Sequence, residues 1–120
     1  MTNTAQALYQ FFSGFGLQPY VEENVPKGTE PPYITYELKE PDWRAPTSLR
    51  ARVWYRSSSY VDISAKVDQI KAAIDEGISI KTNGGKIVIE PDMNFVQYQP
   101  TDEVTLKVAY LSMVFHAHTT

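Results

Sequence analysis

The chain has 120 residues, 42% of them apolar, which is enough to bury one hydrophobic core but rarely two. Its 11 basic and 14 acidic side chains leave a formal charge of −3, so no overall positive field recruits nucleic acid. The lack of cysteine excludes a disulfide scaffold, a thiolate nucleophile and every cysteine-ligated metal site. No apolar run reaches the roughly 18 residues that a membrane span needs, and the first residues lack a signal-peptide pattern. We expect a single domain over residues 1–120, made in a reducing cytoplasm and remote from membranes.

The first predicted element is a short aromatic helix that ends at Gly14 and Gly16, where glycine gives the backbone freedom to turn. Its apolar side chains recur at helical spacing, at Ala5, Leu8, Phe12 and Phe15, with Tyr9 and Phe11 widening the stripe. We interpret it as a core helix laid on a sheet. The alternative is a docking helix for a neighbouring subunit.

Residues 18–32 are interrupted by prolines, with a short extended piece, PYVEENV, between them. Proline removes a hydrogen-bond donor from a strand and so keeps that strand at the margin of a sheet. We predict an edge strand followed by a loop, and the strand is also suited to act as an arm on a neighbour.

Two central strands are predicted over PPYITYEL and LRARVWYR, because apolar and polar residues alternate in both. In the first strand, one face carries Ile34, Tyr36 and Leu38 and the other carries Tyr33, Thr35 and Glu37. In the second strand, Leu49, Ala51, Val53 and Tyr55 are separated from Arg50, Arg52, Trp54 and Arg56. The loop between the strands contains Trp43 and Arg44, and we expect it either to fold back onto the core or to meet a partner.

The face formed by Arg50, Arg52, Trp54 and Arg56 is unusual. Three guanidinium groups around an indole repel one another unless carboxylates, stacked rings or a partner chain compensate them. Acidic residues lie in neighbouring segments, at Glu22, Glu23, Glu37 and Glu40. Our hypothesis is that this face meets an acidic surface on the next subunit. The rival interpretation, that it faces DNA in a lumen, is weaker because a girdle of arginines would hold phosphates tightly.

The next helix is predicted from Ser59 to Glu76, with Ser59 and Asp62 forming a variant of the capping box. One face is apolar, at Ile63, Val67, Ile70 and Ile74, and the opposite face is charged and solvated. Gly77 marks the end of the helix.

A hairpin turn is predicted at Asn83, Gly84 and Gly85, between ISIKT and KIVIE. After it, MNFVQYQ pairs with a long final strand across a turn at residues 100–102. The buried face of that last strand changes near Ala109 and Tyr110, which favours a bulge, a bend or a strand end that another subunit covers.

The sequence offers no convincing catalytic set, and we expect the protein not to be an enzyme. His116 and His118 point to one side of a strand, where two ligands could share a metal, but they have no nearby carboxylate in sequence. The glycine turn leads into a strand, whereas a phosphate-binding glycine loop leads into a helix. We therefore predict no catalytic residues, no metal and no cofactor.

The chain resembles the small tail terminator or tail completion proteins, also described as minor capsid proteins, of long-tailed bacteriophages and prophages. The matching segments are LYQFFSGFGLQPYVEENVP, PPYITYEL and VWYRSSSYVDISAKVDQI, followed by a glycine hairpin and a terminal strand that ends in an aromatic residue. The resemblance covers nearly the whole chain, and its motifs are patterns of fold and assembly.

The resemblance implies an α+β fold, with a mainly antiparallel sheet and with an N-terminal helix and one longer central helix packed on it. It also implies a homo-oligomeric ring, commonly hexameric, that stops tail-tube polymerisation and joins the tail to the head. The partners would be the tail tube protein and head connector proteins, with no cofactor, no membrane and no specific nucleic acid. Its place would be the virion tail or neck, after assembly in the bacterial cytoplasm. Residues for a subunit interface come from our reading of the strands: Glu37, Arg50, Arg52, Trp54 and Arg56.

Overall fold

A computed structural model describes residues 3–42 and 45–119 and shows two helices packed on a six-stranded sheet. In chain order the elements are α1 (Thr4–Ser13), β1 (Gln18–Val21), β2 (Tyr33–Tyr36), β3 (Thr47–Arg56), α2 (Val61–Ile74), β4 (Ile78–Thr82), β5 (Gly85–Gln99) and β6 (Leu106–Thr119). The spatial order of the strands is β1-β2-β3-β6-β5-β4. Neighbours are antiparallel except for β1 and β2, which are parallel. The predicted fold class is confirmed.

The hydrophobic core lies between the helices and one face of the sheet. Alternate residues of each strand point into it, and the central strands supply Leu49, Ala51 and Val53 from β3 and Ala109, Leu111, Met113 and Phe115 from β6, all buried. Both helices join the same cluster, so they lie on the same face of the sheet. We call this the helix face and the opposite one the open face.

Helix α1 is fixed at its start by a capping box in which Asn3 and Gln6 satisfy each other's backbone N–H groups. Its buried residues are Ala7, Leu8, Phe11 and Phe12. The Phe12 ring stacks on Tyr36 of β2 at 4.6 Å, which fixes the helix over that part of the sheet. Two details of the predicted stripe are wrong: Phe15 lies beyond the end of the helix, although it is buried, and Tyr9 is 47% exposed.

Helix α2 confirms the predicted apolar face, since Ile63, Val67, Ile70 and Ile74 are all buried. The predicted cap at Ser59 is wrong, because the helix begins at Val61 with Tyr60 at the N-cap and no side-chain cap. A bend at residues 58–60 precedes the helix, and Ser59 Oγ accepts only a long bond of 3.4 Å from the Val61 N–H. Gly77 adopts φ +83° and donates its N–H to the Ile74 carbonyl, as the end signal requires.

Strand β1 forms one edge of the sheet, as the prolines predict, but it ends at Val21 instead of running through PYVEENV. At the other edge, β4 and β5 form the predicted hairpin around a two-residue turn, where Gly84 takes φ +85°. KIVIE and MNFVQYQ are parts of the same strand, β5.

The predicted change of buried face in the last strand is wrong. Strand β6 pairs with β3 in unbroken register from Leu106 to Phe115 and keeps one face toward the core. The irregularity is in β5, where four residues, 92–95, stand opposite Ser112 alone. The change was predicted from the alternation of Val104, Leu106 and Val108, but Val104 lies before β6 and is 82% exposed.

The Glu37 N–H still donates to the Arg50 carbonyl of β3, and the connection to β3 then leaves the sheet. Leu38, which was predicted on the same face as Ile34 and Tyr36, is therefore 50% exposed, whereas those two residues are buried. The Asp42 N–H donates to Thr47 Oγ1 and the Asp42 carbonyl accepts from the Ala117 N–H, which ties this connection to β3 and β6. The predicted loop residues Trp43 and Arg44 lie outside the described residues.

Candidate interaction surface

The open face is formed by the residues that alternate with the core residues, and no described helix packs on it. Strand register places the arginine strand at its centre, with Thr35 and Tyr110 on either side of Arg52 and with Tyr33 and Val108 on either side of Trp54. The sequence analysis predicted this face on β3. What it did not predict was the set of side chains that meet the arginines.

Arg52 is compensated within its own chain. Its Nη1 lies 2.6 Å from Glu22 Oε1, at the end of β1, and its guanidinium lies 4.6 Å from the centre of the Tyr110 ring. A cation over an aromatic face is attracted by the ring quadrupole. Both predicted compensations, a carboxylate and a ring, therefore act on this one residue.

Trp54 is held by its neighbours on β2. Its Nε1 donates to Thr35 Oγ1 at 3.1 Å, and its ring stacks on Tyr33 with centroids 6.1 Å apart. Tyr33 in turn meets Tyr20 of β1 edge to face. Burial raises the pKa of Tyr33, and the nearby Glu30 carboxylate raises it further. The indole is thus part of an aromatic row across three strands, which leaves it half-buried.

Arg56 joins two loops at one end of the sheet. Its Nε lies 3.3 Å from Glu30 Oε2, and its Nη1 lies 2.8 Å from Glu103 Oε2. The hydrogen bond to Glu103 is the main reason that the pKa of Arg56 is raised. This fork connects the loop before β2 with the loop before β6.

Arg50 differs from the other two arginines. It is exposed, and among residues 3–42 and 45–119 it makes no ion pair. Beside it lies Glu37, whose Oε1 is buried and has no hydrogen bond, with only Lys39 Nζ at 3.7 Å. Both residues line a cavity of about 120 Å³ together with Glu22, Arg52 and Tyr110. Of the four charged residues in the predicted interface, Arg52 and Arg56 have close carboxylate partners, whereas Arg50 has none among the described residues and Glu37 has only the 3.7 Å contact with Lys39.

A wider groove of about 560 Å³ continues from Arg50 and Tyr110 toward the irregular part of β5. Its far wall contains Asp92, Met93 and Asn94, and Met93 is 97% exposed. The groove extends the open face beyond the arginine strand. No sequence pattern singled it out, because the four residues that shape it resemble an ordinary stretch of strand and loop.

His116 and His118 lie side by side on the open face of β6, with ring centroids 4.5 Å apart. Within the described residues, no group of three or more histidine, aspartate or glutamate side chains is arranged to hold a metal ion. His116 Nδ1 is buried and has no hydrogen-bond partner. The geometry of the pair matches the alternation expected for a strand.

Of the five predicted interface residues, the strand register brings Arg50, Arg52, Trp54 and Arg56 onto one face, and Glu37 borders it after the end of β2. Glu22, proposed as an acid for the next subunit, instead pairs with Arg52 of the same chain. Sequence reasoning missed Tyr110, Glu30 and Glu103. Alternation along the last strand, taken without a break at Ala109, would have placed Tyr110 on this face.

Two further findings concern membrane-spanning helices and similarity to known proteins. Among the described residues, no helix is both long and apolar enough to cross a membrane. Comparison of the chain with models of protein families, with curated proteins and with solved structures found no match.

Proposed function

We propose that the chain is a structural virion protein of a long-tailed phage or prophage, which caps the tail tube as an oligomeric ring and joins the tail to the head. The observation that carries the proposal is a sheet whose described helices pack on one face, whose open face is rich in arginine and aromatic side chains, and whose edge strands, β1 and β4, pair with no described strand on their outer sides. A ring needs heterologous contacts, in which one patch of a subunit meets a different patch of the next. The proposed position of the ring, at the end of the tail tube, rests on the resemblance of the chain's segments to tail terminator proteins.

The open face is the surface that we assign to assembly. Arg50 forms no ion pair with any described residue, and the buried Oε1 of Glu37 accepts no hydrogen bond. A neighbouring protein that offers a carboxylate to Arg50 and an N–H group to Glu37 would satisfy both. In contrast, Arg52 and Arg56 keep their partners within the chain and shape the surface around that contact.

The first test is absolute mass by light scattering over a concentration series, with negative-stain images of the largest species. A closed ring supports the proposal. If the chain is monomeric at every concentration, purified tail tubes are added, and capped tube ends support templated assembly. Failure to form a ring or to cap tubes would contradict the proposal.

The contribution of the open face is tested with Arg50→Glu, using Lys71→Glu as the control, since Lys71 is exposed on α2 and removed from this face. Both variants change the formal charge by two units. We expect Arg50→Glu to leave the monomer folded and to weaken assembly, while Lys71→Glu leaves assembly unchanged. Equal assembly of both variants would remove the open face from the proposal without removing the ring.

Another position in the phage neck, such as a head–tail connector or a minor tail protein, remains the nearest alternative. The tube-capping test separates the two, since a connector would bind head structures and leave tube ends open. A nucleic-acid-binding module is less favoured, because the carboxylates at Arg52 and Arg56 already neutralise two of the cations that a phosphate backbone would need.

A further inference from the structure

We propose that neighbouring copies of the chain join by pairing their sheet edges, with β4 of one copy added in parallel to β1 of the next and with Ser79 opposite Tyr20. The inference rests on the ring of the proposed function and names a contact between its subunits that is separate from the open face around Arg50. It follows from the hydrogen-bonding groups, the strand directions and the side chains at the two edges.

The outer edge of β4 has backbone N–H and C=O groups that form no ladder hydrogen bonds. Because the hairpin turn has two residues, the closing pair Thr82 and Gly85 bonds between the strands, and alternation directs the backbone of Ile80 and Ile78 toward β5 as well. The N–H and C=O groups of Ser79 and Lys81 then point outward. Within the described part of the chain, no other segment bonds to them.

The outer edge of β1 is more restricted. The Glu22 N–H donates to the Tyr36 carbonyl of β2, so alternation turns the backbone of Pro19 and Val21 outward. Proline has no N–H, and the Val21 carbonyl already accepts from Asn24. The groups that remain are the Val21 N–H and the Pro19 carbonyl. Pro19 is buried in the single chain, and its carbonyl accepts only from the side-chain amide of Gln18, at 3.3 Å, so a partner strand would take the place of that amide.

These two groups match a parallel partner. In a parallel pair, a residue donates its N–H to the carbonyl of the residue that precedes its cross-strand partner, and its own carbonyl accepts from the N–H of the residue that follows that partner. A residue opposite Tyr20 would donate to the Pro19 carbonyl and accept from the Val21 N–H. An antiparallel partner exchanges both bonds with a single residue, and neither Pro19 nor Val21 has both groups free.

The topology independently requires the same direction. Along the order β1-β2-β3-β6-β5-β4, one parallel step and four antiparallel steps leave β4 running in the same direction as β1. When a rotation carries one copy onto the next, β1 of the second copy reaches β4 of the first in parallel. The helix faces of the two copies then lie on the same side of the continued sheet.

The side chains select the register. With Ser79 opposite Tyr20, Lys81 stands opposite Glu22 on the open face, and Ile78 and Ile80 meet Pro19 and Val21 on the helix face. Lys81 also faces Lys86 directly across the hairpin, a like-charge pair that a carboxylate would relieve. On the helix face, the contact would cover an apolar groove of about 350 Å³, lined in part by Phe11, Phe15, Ile78 and Ile80.

Cysteine cross-linking tests the pairing, because the natural chain has no cysteine. The Lys81→Cys and Glu22→Cys variants are mixed and allowed to assemble. The assembled subunits, as free rings or as caps on tail tubes, are then oxidised. Opposite residues on paired strands lie within the Cα separation of roughly 4.4–6.8 Å that a disulfide needs. We expect a covalent dimer in the mixture and none from either variant alone. Lys71→Cys mixed with Glu22→Cys is the matched control and should give none.

The Glu22→Cys, Lys81→Cys double variant should form a ladder of covalent oligomers that ends at the ring size. Assembled subunits without the dimer would overturn the pairing and leave the ring intact. If no assembled species forms under any condition, the ring fails and the pairing fails with it.

A backbone variant gives a second measurement. Ser79→Pro removes the N–H that is proposed to bind the Pro19 carbonyl, whereas Ser79→Ala keeps it. Proline is tolerated at an outward position of an edge strand, so the monomer should fold, as circular dichroism would check. We expect the proline variant to lose at least tenfold in assembly affinity and the alanine variant to assemble normally. Normal assembly of a folded Ser79→Pro variant would overturn the proposal.

Discussion

Arg52 Nη1 and Glu22 Oε1 lie 2.6 Å apart and connect the central strand β3 to the end of the edge strand β1, across β2. The pair therefore spans two strand spacings and fixes the short strand β1 to the middle of the sheet. Since β1 has only four residues, this side-chain contact adds to the few backbone bonds that hold it. The pair also explains how an arginine strand can stand on a protein surface without a partner chain at this position.

The ion pair should contribute modestly to stability, because both side chains are about one-third exposed, at 35% and 36%. A double-mutant cycle with Glu22→Gln and Arg52→Gln should give a coupling free energy of about 0.5 kcal/mol, within the usual range for exposed pairs. The coupling should shrink in 1 M salt, where screening acts over about 3 Å. Urea unfolding at low and high salt measures it, and a coupling that is insensitive to salt would contradict this account.

The bond between Trp54 and Thr35 should be worth more, because Thr35 is only 3% exposed. Trp54→Phe leaves a buried hydroxyl without its donor and should lower the free energy of unfolding by about 1–3 kcal/mol. Adding Thr35→Val removes the stranded hydroxyl, so the double variant should lose less than the sum of the two single losses. Denaturant unfolding followed by circular dichroism supplies the comparison, and strict additivity would rule out the hydrogen bond as the cause.

The two helix starts give a matched pair of variants. Asn3→Ala removes the side-chain cap of α1 and should cost about 1 kcal/mol. Ser59→Ala should cost at most a few tenths of a kcal/mol, since α2 has no side-chain cap and the Ser59 hydroxyl accepts only the 3.4 Å bond from the Val61 N–H. Thermal or urea unfolding of both variants checks the difference. Equal losses would mean that Ser59 caps α2 after all.

Stability should fall at high pH because of the buried tyrosines. Burial raises the pKa of Tyr36 above that of a free tyrosine, so the folded chain keeps this proton to higher pH than the unfolded chain does. The stabilising contribution is therefore complete below the unfolded pKa of about 10 and is lost as the pH rises through the higher folded pKa.

Tyr36→Phe removes this group while keeping the ring that stacks on Phe12. The free energy of unfolding of the variant should rise relative to that of the natural chain as the pH rises above about 10, although other tyrosines make both proteins less stable there. Urea unfolding at pH 7 and at several values above pH 10 gives the difference for each condition. A difference that does not change with pH would show that Tyr36 loses its proton equally in both states.

The sequence predicted those parts of the fold that depend on local alternation. The apolar stripe of α2 and the inward set of β3 follow from periods of 3.6 and 2, and tertiary packing agrees with both. It failed where the structure depends on long-range register. The pattern near Ala109 suggested a bulge, a bend or a covered strand end in β6, but the extra residues lie in β5. A bulge adds residues to one strand of a pair, and the pattern of β6 alone does not show what its partner strand contains.

The candidate surface shows the same limit. Alternation placed the three arginines and Trp54 on one face, but their partners come from β1, β2, β6 and two loops. The hydrogen bonds to Thr35, Glu30 and Glu103 join residues 19 to 47 positions apart in sequence. A single sequence contains no pattern that links such distant positions. The missing cap at Ser59 is a different failure, since the residue types were suitable but residues 58–60 form a bend before the helix instead.

The position of β6 between β3 and β5 has a consequence for how the protein folds during synthesis. This strand is made after all five of the other described strands, yet it lies near the middle of the sheet and pairs along ten residues with β3, whose residues are made 50 to 68 positions earlier. Until β6 arrives, β3 remains an exposed edge and the core cannot close. We therefore expect folding to wait until β6 has been made and to be slow, since distant pairing must precede the gain from burial.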